Sequence, residues 1–421
     1  DFIRGMMDCS EVVDQLRKQI PDEYKEFRDL DYTTRLSDTL TLSTFHGCPP
    51  DEIESIMEFL LEEMGLHSIV KLNPMLLGKE KTHQMLVKEM GFREIKVPDS
   101  AFTRDTTWEQ AVGFVERLGN KAEKLGLGFG AKFTNTLIVG NHRSFFPDSE
   151  KEMYLSGPPL HVLAMELVAK FRKTFGNKYP ISFSAGIDRL NFPDSVALGL
   201  VPVTVCSDLL KPGGYARGFG YFKDLKKRME KVGASDIQGF ILRAYGHGKE
   251  ALSQAGIGSD HPLRAEAETY LDDGRDLATL LDDETYAKVL DKCALLNTET
   301  YTTDLSTNPR YSKIRNAKLP RKIDSRLELF DCISCDKCIP VCPNDANFTF
   351  VIPQMEIPIL KVQRQGSTWT SRQDGTLCIE EKHQIGNFAD FCNECGNCDI
   401  FCPEDGGPYV LKPRFFGSRE S

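Results

Sequence analysis

One cysteine spacing occurs twice near the end of this 421-residue chain and constrains its fold more than any other feature. The two runs are Cys332-Ile-Ser-Cys335-Asp-Lys-Cys338-Ile-Pro-Val-Cys342-Pro343 and Cys392-Asn-Glu-Cys395-Gly-Asn-Cys398-Asp-Ile-Phe-Cys402-Pro403. Both follow C-x₂-C-x₂-C-x₃-C-P, a spacing typical of bacterial proteins that hold two [4Fe–4S] clusters. Three thiolates within seven residues can wrap one face of a cubane, and the proline turns the chain toward the second cluster. The doubled run therefore predicts two clusters in one small domain.

The same spacing predicts which cysteines share a cluster, because the fourth cysteine of each run binds the cluster of the other run. We expect one cluster on Cys332, Cys335, Cys338 and Cys402, and the other on Cys392, Cys395, Cys398 and Cys342. Two zinc sites are the alternative, although structural zinc favours paired rather than tripled cysteines. Residues 326–421 are therefore predicted to form an α+β ferredoxin-like domain, with a β insertion in the 49 residues between the runs.

The composition excludes several functional classes. A formal net charge of −10 leaves no basic surplus to neutralise phosphates, so nucleic acid is not an expected partner. No apolar run of the sequence reaches the roughly 18 residues that a membrane span needs. Eight of the 13 cysteines lie in the two runs, a metal pattern expected where thiols stay reduced, and this predicts a cytoplasmic protein.

Short apolar segments alternate with amphipathic segments from about residue 38 to residue 222. One helix is expected to open with Pro50 and Asp51. A second, in the segment 107–126, is expected to stop at Gly126, because glycine suits a helix C-cap. This alternation predicts parallel βαβ units and hence an α/β, TIM-barrel-like (β/α)₈ domain over residues 1–225. The expected strands are 39–45, 68–74, 93–97, 129–136, 180–186 and 202–208.

A closed barrel of this kind usually needs about 250 residues and eight strands. Six strands in a shorter segment lead us to expect two further strands upstream of Asp1. Residues 226–325 are acidic and helical in pattern and then polar, which predicts a helical appendage followed by a linker.

Polar motifs follow several of the predicted strands, where barrel enzymes place their active sites. No P-loop occurs, and no G-x-G-x-x-G follows a predicted strand, so the chain is not expected to bind NAD(P) in a Rossmann domain of its own. The strand-end motifs are Lys71-Leu72-Asn73-Pro74, Thr134-Asn135-Thr136, Ser184-Ala185-Gly186-Ile187-Asp188 and Cys206-Ser207-Asp208.

In this order the motifs resemble the flavin-binding barrel of dihydroorotate and dihydropyrimidine dehydrogenases. Across nearly the whole chain, segments such as STFHGCPPDEIE, VKLNPMLLG, LGFGAKFTNT, SDLLKPGGYAR and CNECGNC are similar to the selenate reductase-type family of iron–sulfur subunits. Full-length members of that family resemble a flavin barrel, an FAD/NADPH module and a two-cluster ferredoxin joined in one chain. The FAD/NADPH module has no counterpart here, so the resemblance implies a partner subunit that uses FAD and NAD(P)H, or another redox partner.

The resemblance also implies FMN in the barrel and names the residues that would hold it. Lys71, or Lys132 as the competing candidate, would approach the N1–C2 edge of the flavin, where a cation stabilises the reduced ring. Gly186, Ile187 and Ser207 would lie at the flavin phosphate, since glycine lets backbone N–H groups approach an anion.

Further residues are implied on the substrate side of the flavin. Asn135 and Thr136, together with Asn73, would bind the amide edge of a small heterocyclic substrate, for which an amide side chain offers both a donor and an acceptor. Cys48 would protonate the substrate, as a loop cysteine does in dihydropyrimidine dehydrogenases. His46 is the alternative proton donor, because the unperturbed pKa of histidine lies near neutrality.

Taken together, these patterns favour an iron–sulfur flavoprotein oxidoreductase subunit. Electrons from a partner dehydrogenase would pass through two [4Fe–4S] clusters to FMN and reduce a C=C or C=N bond of a pyrimidine- or purine-like substrate. The competing hypothesis is a non-catalytic electron-transfer or scaffold subunit of a larger redox complex, with no functional flavin site. Asp208, a carboxylate beside the expected phosphate position, favours that competing hypothesis.

Overall fold

The computed structural model describes residues 2–44, 46–142, 149–211, 214–316 and 326–419. Its contacts divide the chain into two compact units. The first unit comprises Asp1–His142, Lys151–Cys206 and Gly218–Asn316, and the second comprises Arg143–Glu150, Ser207–Arg217 and Ala317–Ser421. No helix of the described residues is long and apolar enough to cross a membrane.

A parallel sheet lies at the centre of the first unit. Four strands pair in the order β1-β2-β3-β6, which is also their order along the chain. Between β3 and β6 the chain forms a separate antiparallel pair, β4 and β5. Consecutive parallel neighbours joined by helices are the arrangement that βαβ units produce. The strands are β1 Thr39–Ser43, β2 His67–Leu72, β3 Phe129–Phe133, β4 Leu137–Gly140, β5 Glu152–Leu155 and β6 Ile181–Phe183.

Helices cover one face of this sheet and close the core. Along β2 the burial alternates, with Val70 and Leu72 buried and Lys71 half-buried on the opposite face. The helices of this unit are α1 Phe2–Met7, α2 Ser10–Gln19, α3 Pro50–Glu62, α4 Lys79–His83, α5 Asp99–Arg104, α6 Trp108–Leu125, α7 Pro158–Phe175, α8 Phe192–Ala197, α9 Gly218–Lys231, α10 Ile237–Arg243, α11 Gly248–Gln254, α12 Arg264–Asp272, α13 Asp283–Thr302 and α14 Lys313–Asn316.

Both ends of α6 are capped by residues that can be recognised in the sequence. The Thr107 hydroxyl oxygen accepts a hydrogen bond from Gln110 N, and Gln110 Oε1 accepts one from Thr107 N, which satisfies two backbone donors at the helix start. Gly126 ends the helix in the left-handed conformation, with φ of 68°. The predicted start of α3 at Pro50 and the predicted end of α6 before Gly126 are both confirmed.

Two predicted strands take another form. Residues 93–97 make no strand, because Arg93 and Glu94 form a turn and only Lys96 O accepts a hydrogen bond from the neighbouring backbone, from Gly140 N at 2.7 Å. Their apolar pattern instead reflects a loop that packs Ile95 into the core. In the segment 202–208 only one residue, Val203, bridges to the sheet, next to Phe183 of β6.

The second unit contains a small sheet and a long hairpin between its two cysteine runs. The sheet has the order β11-β10-β7, and β8 pairs only with β9 among the described strands. Every residue of β8 is exposed, as is nearly all of β9. The elements are β7 Asn347–Val351, β8 Met355–Gln365, β9 Thr368–Ile379, β10 His383–Phe388, β11 Arg414–Phe415, α15 Asn397–Phe401 and α16 Pro408–Leu411.

Candidate functional site

Two lysines stand side by side on the half-buried face of the parallel sheet. Lys71 of β2 and Lys132 of β3 are register partners, and Ser43 and Ser182 continue the row on either side. Lys132 Nζ donates a hydrogen bond to Thr204 Oγ1 at 3.1 Å. Neither ammonium group forms an ion pair with a carboxylate among the described residues.

Burial lowers the pKa of both lysines, and the charge of Lys132 lowers the pKa of Lys71 further. Two adjacent half-buried cations without a carboxylate partner repel each other and are poorly solvated. An electron-rich or anionic group placed against this face would relieve both effects. The sheet therefore offers a site that suits an anionic ring.

A buried carboxylate, Asp105, organises the loop that follows β1. Its Oδ1 accepts hydrogen bonds from Asn73 Nδ2 at 2.8 Å and from Gly47 N at 3.1 Å, while Oδ2 lies 3.4 Å from His46 Nδ1. Burial alone would raise the pKa of Asp105, but the bonds from His46, Gly47 and Asn73 outweigh it and lower the pKa. Asp105 is therefore an ionised acceptor, with two donors on Oδ1 and a ring nitrogen of His46 facing Oδ2.

This network leaves two polar atoms buried and without a partner. Among the described residues, His46 Nε2 and Asn73 Oδ1 have no hydrogen-bond partner, although each belongs to a side chain that Asp105 holds by its other polar atom. Buried polar atoms are nearly always paired, so two unpaired atoms on side chains oriented by one carboxylate point to an absent ligand. The His46 ring also stacks on Tyr154, with ring centroids 6.0 Å apart.

Cys48, the other predicted proton donor, has the surroundings of a core residue. It is 3% exposed and belongs to the main hydrophobic cluster of the first unit. Burial, followed by the carboxylates of Glu52, Asp105 and Asp51, raises the pKa of its thiol. A thiol whose pKa is raised gives up its proton less readily.

The amide of Asn135 makes hydrogen bonds to its own backbone surroundings. Its Nδ2 donates to Thr44 O at 3.3 Å, and its Oδ1 accepts from Thr136 N at 3.0 Å. One donor hydrogen and one acceptor lone pair of the amide remain for a ligand. Asn135 and Thr136 follow the end of β3, and Asn73 follows the end of β2, at the same edge of the sheet.

The residues expected at the flavin phosphate are divided between the two units. Gly186 and Ile187 lie in the first unit, whereas Ser207 begins the segment 207–217 of the second. A Cβ at Gly186 would lie 2.3 Å from Gly157 O, so packing by itself already requires glycine at this position. Among the described residues, no acceptor pairs with the backbone N–H of Gly186 or of Ile187, which leaves both groups available to an anion.

In the second unit, cysteines from both runs line one cavity. The fourth cysteine of the second run, Cys402, joins three cysteines of the first run there, and Lys412 and Glu404 also line the wall. Burial, followed by the neighbouring cysteines, raises the pKa of Cys338 to about 12. The four cysteines of this cavity are Cys332, Cys335, Cys338 and Cys402.

The other four cysteines also influence one another. Burial raises the pKa of Cys398 to about 11, and Cys395 and Cys342 are among the thiols that add to this. Burial also raises the pKa of Cys395, with Cys342 and Cys392 among its neighbours. The structure thus brings Cys342 of the first run close to the cysteines of the second run.

Both runs share an unusual backbone conformation. The residue before the second cysteine has positive φ in each run, 45° at Ser334 and 53° at Glu394, and the residue after it has φ of 54° at Asp336 and 75° at Gly396. Non-glycine residues adopt this region at a cost and usually only where function requires it. The thiols are crowded on two matching strained loops, and three of them, Cys338, Cys398 and Cys402, are buried. This arrangement fits two clusters, since bound iron would offset the cost of ionising the thiols.

Asp105 is the site residue that the sequence pattern did not single out. It follows α5 in a loop and not a strand end, and no spacing motif links it to His46 or Asn73. The signal that could have found it is limited to an acidic residue flanked by Arg104 and Thr106 after a short helix.

Comparison with known proteins places the chain in a family. Residues 1–249 match the family model described as "Oxidoreductase YgfK, N-terminal TIM-barrel domain". The proteins named "Putative oxidoreductase YgfK" from Escherichia coli (strain K12) and Escherichia coli O157:H7 are each 42% identical to the chain over 187 residues. The aligned segment covers 44% of this chain and 18% of the length of either relative.

Proposed function

Because this chain belongs to the YgfK oxidoreductase family and carries its N-terminal TIM-barrel domain, we propose that it is an iron–sulfur flavoprotein subunit. In this proposal, electrons from a partner dehydrogenase pass through two [4Fe–4S] clusters to FMN in the barrel. The acceptor is an unsaturated N-heterocycle of the pyrimidine or purine class. The observation that carries the proposal is the meeting of cysteines from both runs at one cavity of the second unit.

The paired lysines support a flavin on the barrel sheet. When bound, FMN supplies two-electron chemistry to the substrate and one-electron exchange with the clusters. Lys71 and Lys132 would stabilise negative charge on the reduced ring, and the free backbone N–H groups of Gly186 and Ile187 would meet its phosphate. Ser207, the other residue expected at the phosphate, belongs to the second unit.

The strand-end amides support a lactam-containing substrate. Asn73 offers an unpaired oxygen, and Asn135 retains one free donor and one free acceptor. An amide edge presents the matching acceptor and donor. Membership of the selenate reductase-type iron–sulfur subunits and a cytoplasmic location also remain part of the proposal.

The exposed hairpin supports a protein partner. An isolated two-stranded hairpin is only marginally stable in water. This hairpin also exposes at least 40% of each of six apolar residues: Met355, Ile357, Ile359, Leu360, Val362 and Trp369. The hairpin is continuous with the strands that link the two cysteine runs. A flavoprotein dehydrogenase docked there would deliver electrons beside the clusters.

Cofactor content of the anaerobically purified chain tests the proposal. Iron and acid-labile sulfide should each approach about eight per chain, and heating should release FMN and not FAD. Exchange of the exposed Cys378 for serine serves as the control, since that cysteine lies outside both sets. Two zinc ions without sulfide would contradict the cluster proposal.

The scaffold alternative keeps one specific observation in its favour. Asp208, expected near the flavin phosphate, is buried and pairs with Lys211 at 3.0 Å and with Arg217 at 2.8 Å within the second unit. That carboxylate therefore already has cationic partners. A chain with full clusters but no extractable flavin would favour the scaffold.

A further inference from the structure

We propose that Asp105 positions His46 as the proton donor of this site, with Nε2 as the atom that transfers the proton. The inference rests on the proposed reductase function, which it deepens by naming the acid and the residue that orients it. The His46 side chain is 11% exposed and that of Asp105 is 3% exposed, so solvent competes little for their contact.

The two oxygens of Asp105 have different partners, and this decides the tautomer of His46. Oδ1 already accepts from Gly47 N and Asn73 Nδ2, and Oδ2 faces His46 Nδ1. An ionised carboxylate can only accept, so the imidazole must carry a hydrogen on Nδ1. Neutral His46 therefore has a bare Nε2, and the imidazolium has its transferable hydrogen there.

The Nε2 atom of His46 is buried. Among the described residues this atom has no partner, and the same holds for Asn73 Oδ1 on the other side chain that Asp105 holds. A substrate that meets both atoms would accept a hydrogen bond from the imidazolium and donate one to the amide oxygen. Both groups lie at the end of the sheet that carries Lys71.

The chemistry balances with His46 as the acid. Reduction of a C=C or C=N bond needs a hydride at one atom, which bound reduced FMN would supply, and a proton at the other. The Nε2–H bond of His46 breaks as the new C–H or N–H bond forms, and the imidazole keeps its Nδ1 hydrogen on Asp105. Water then returns a proton to Nε2. In this proposal Cys48 is not the acid, because it is 3% exposed among core residues, and burial followed by three carboxylates raises the pKa of its thiol.

Exchange of Asp105 for asparagine reverses the hydrogen-bond polarity with little change of shape. The new side chain should keep its oxygen toward Gly47 N and Asn73 Nδ2, which both donate, and so turn its NH₂ group toward His46 Nδ1. Neutral His46 would then carry its hydrogen on Nε2. The same exchange in a serine-protease triad imposes the wrong tautomer while the geometry persists.

The test is nitrogen-15 NMR of histidine-labelled, oxidised chain above pH 8, with the His46 signal assigned through His46→Gln. We expect the Nδ1–H tautomer in the natural chain and the Nε2–H tautomer in Asp105→Asn. Asp38→Asn is the matched control, because it alters another Asp–His pair of the same unit, with His67, and should leave the His46 signal unchanged. An Nε2–H tautomer in the natural chain, or an unchanged tautomer in Asp105→Asn, would overturn the proposal.

A second measurement separates this inference from the proposed function. Chain reduced with dithionite is mixed with uracil or xanthine, and reoxidation of the clusters is followed by absorbance. We expect Asp105→Asn and His46→Gln to slow reoxidation about 100-fold with unchanged flavin content, since general acids contribute about 10²–10⁴. An equal rate in natural chain and variants would overturn the role of His46 as acid. If neither compound reoxidises the natural chain, the proposed substrate class fails, and the tautomer still decides the positioning role of Asp105.

Discussion

The two units of this protein encode their chemistry in opposite ways. In the second unit, each proposed cluster would draw three ligands from seven consecutive residues and one from the other run. In the first unit, the candidate site gathers His46, Asn73, Asp105 and Asn135, which no short motif connects. A ferredoxin-type cluster takes three of its ligands at fixed short spacing. A barrel site takes one or two residues from each of several loops. Sequence patterns therefore expose the first kind of site far better than the second.

The largest expected effect follows from removing one buried cluster ligand. Cys338→Ser should lower iron and sulfide from about eight to about four per chain and destabilise the second unit, because a cluster binds the folded state. Cys378→Ser should change neither value. Metal analysis and thermal unfolding check this, and full iron content in Cys338→Ser would contradict the assigned ligand set.

The crossing of the two runs gives a sharper version of that test. Cys342→Ser should perturb the cluster held mainly by the second run, and Cys402→Ser the cluster held mainly by the first. As in Cys338→Ser, three ligands remain on the damaged cluster, so each exchange should destabilise one cluster and leave the other intact. Electron paramagnetic resonance of the reduced variants distinguishes the two clusters, and Cys402→Ser should alter the same signal as Cys338→Ser. If Cys342→Ser altered that signal instead, the runs would not cross.

In the first unit, replacing the paired lysines should have a smaller effect. Lys71→Met or Lys132→Met removes a cation from the half-buried face, and FMN affinity should fall about 10- to 100-fold, or about 1.4–2.8 kcal/mol. Lys124→Met on α6 is the matched control, since that lysine is exposed. Fluorescence titration of flavin-free chain measures the affinity. Unchanged affinity in both variants would remove the main support for the flavin site.

Packing at Gly186 should respond more modestly. Gly186→Ala places a methyl group 2.3 Å from Gly157 O at a residue with φ of 52°, so stability should fall by about 1–3 kcal/mol. Gly5→Ala, with nothing within 4 Å of the new atom, should be neutral or slightly stabilising. Denaturant unfolding measures both. A neutral Gly186→Ala with lost flavin would show that the glycine serves the cofactor and not the fold.

The smallest expected effect is none at all. NADPH or NADH added anaerobically to the isolated chain should not bleach the cluster absorbance, because no Rossmann fingerprint occurs in the sequence and clusters cannot accept a hydride. Dithionite, or a flavoprotein partner with NADPH, should bleach it. Rapid bleaching by NADPH alone would show that the chain needs no partner.

Comparison of the predicted and observed elements shows where local patterns suffice. The start of α3 and the end of α6 were predictable because proline and glycine act within one turn of the chain. Residues 93–97 were wrongly predicted as a strand, because apolar residues that pack a loop onto a core mimic the pattern of a strand. The same pattern cannot tell whether a segment finds a partner strand.

The sequence by itself determined the eight-cysteine pattern, the parallel βαβ alternation and the lysines at the strand ends, because each depends on residues a few positions apart. Only the tertiary structure decided that Asp105 joins His46 to Asn73, since these residues are 59 and 32 positions from it along the chain. It also decided that Cys48 lies in the core, since burial depends on which distant helices and strands pack against that loop. Short-range spacing specifies ligands, while the partners of a buried polar atom are chosen by the fold as a whole.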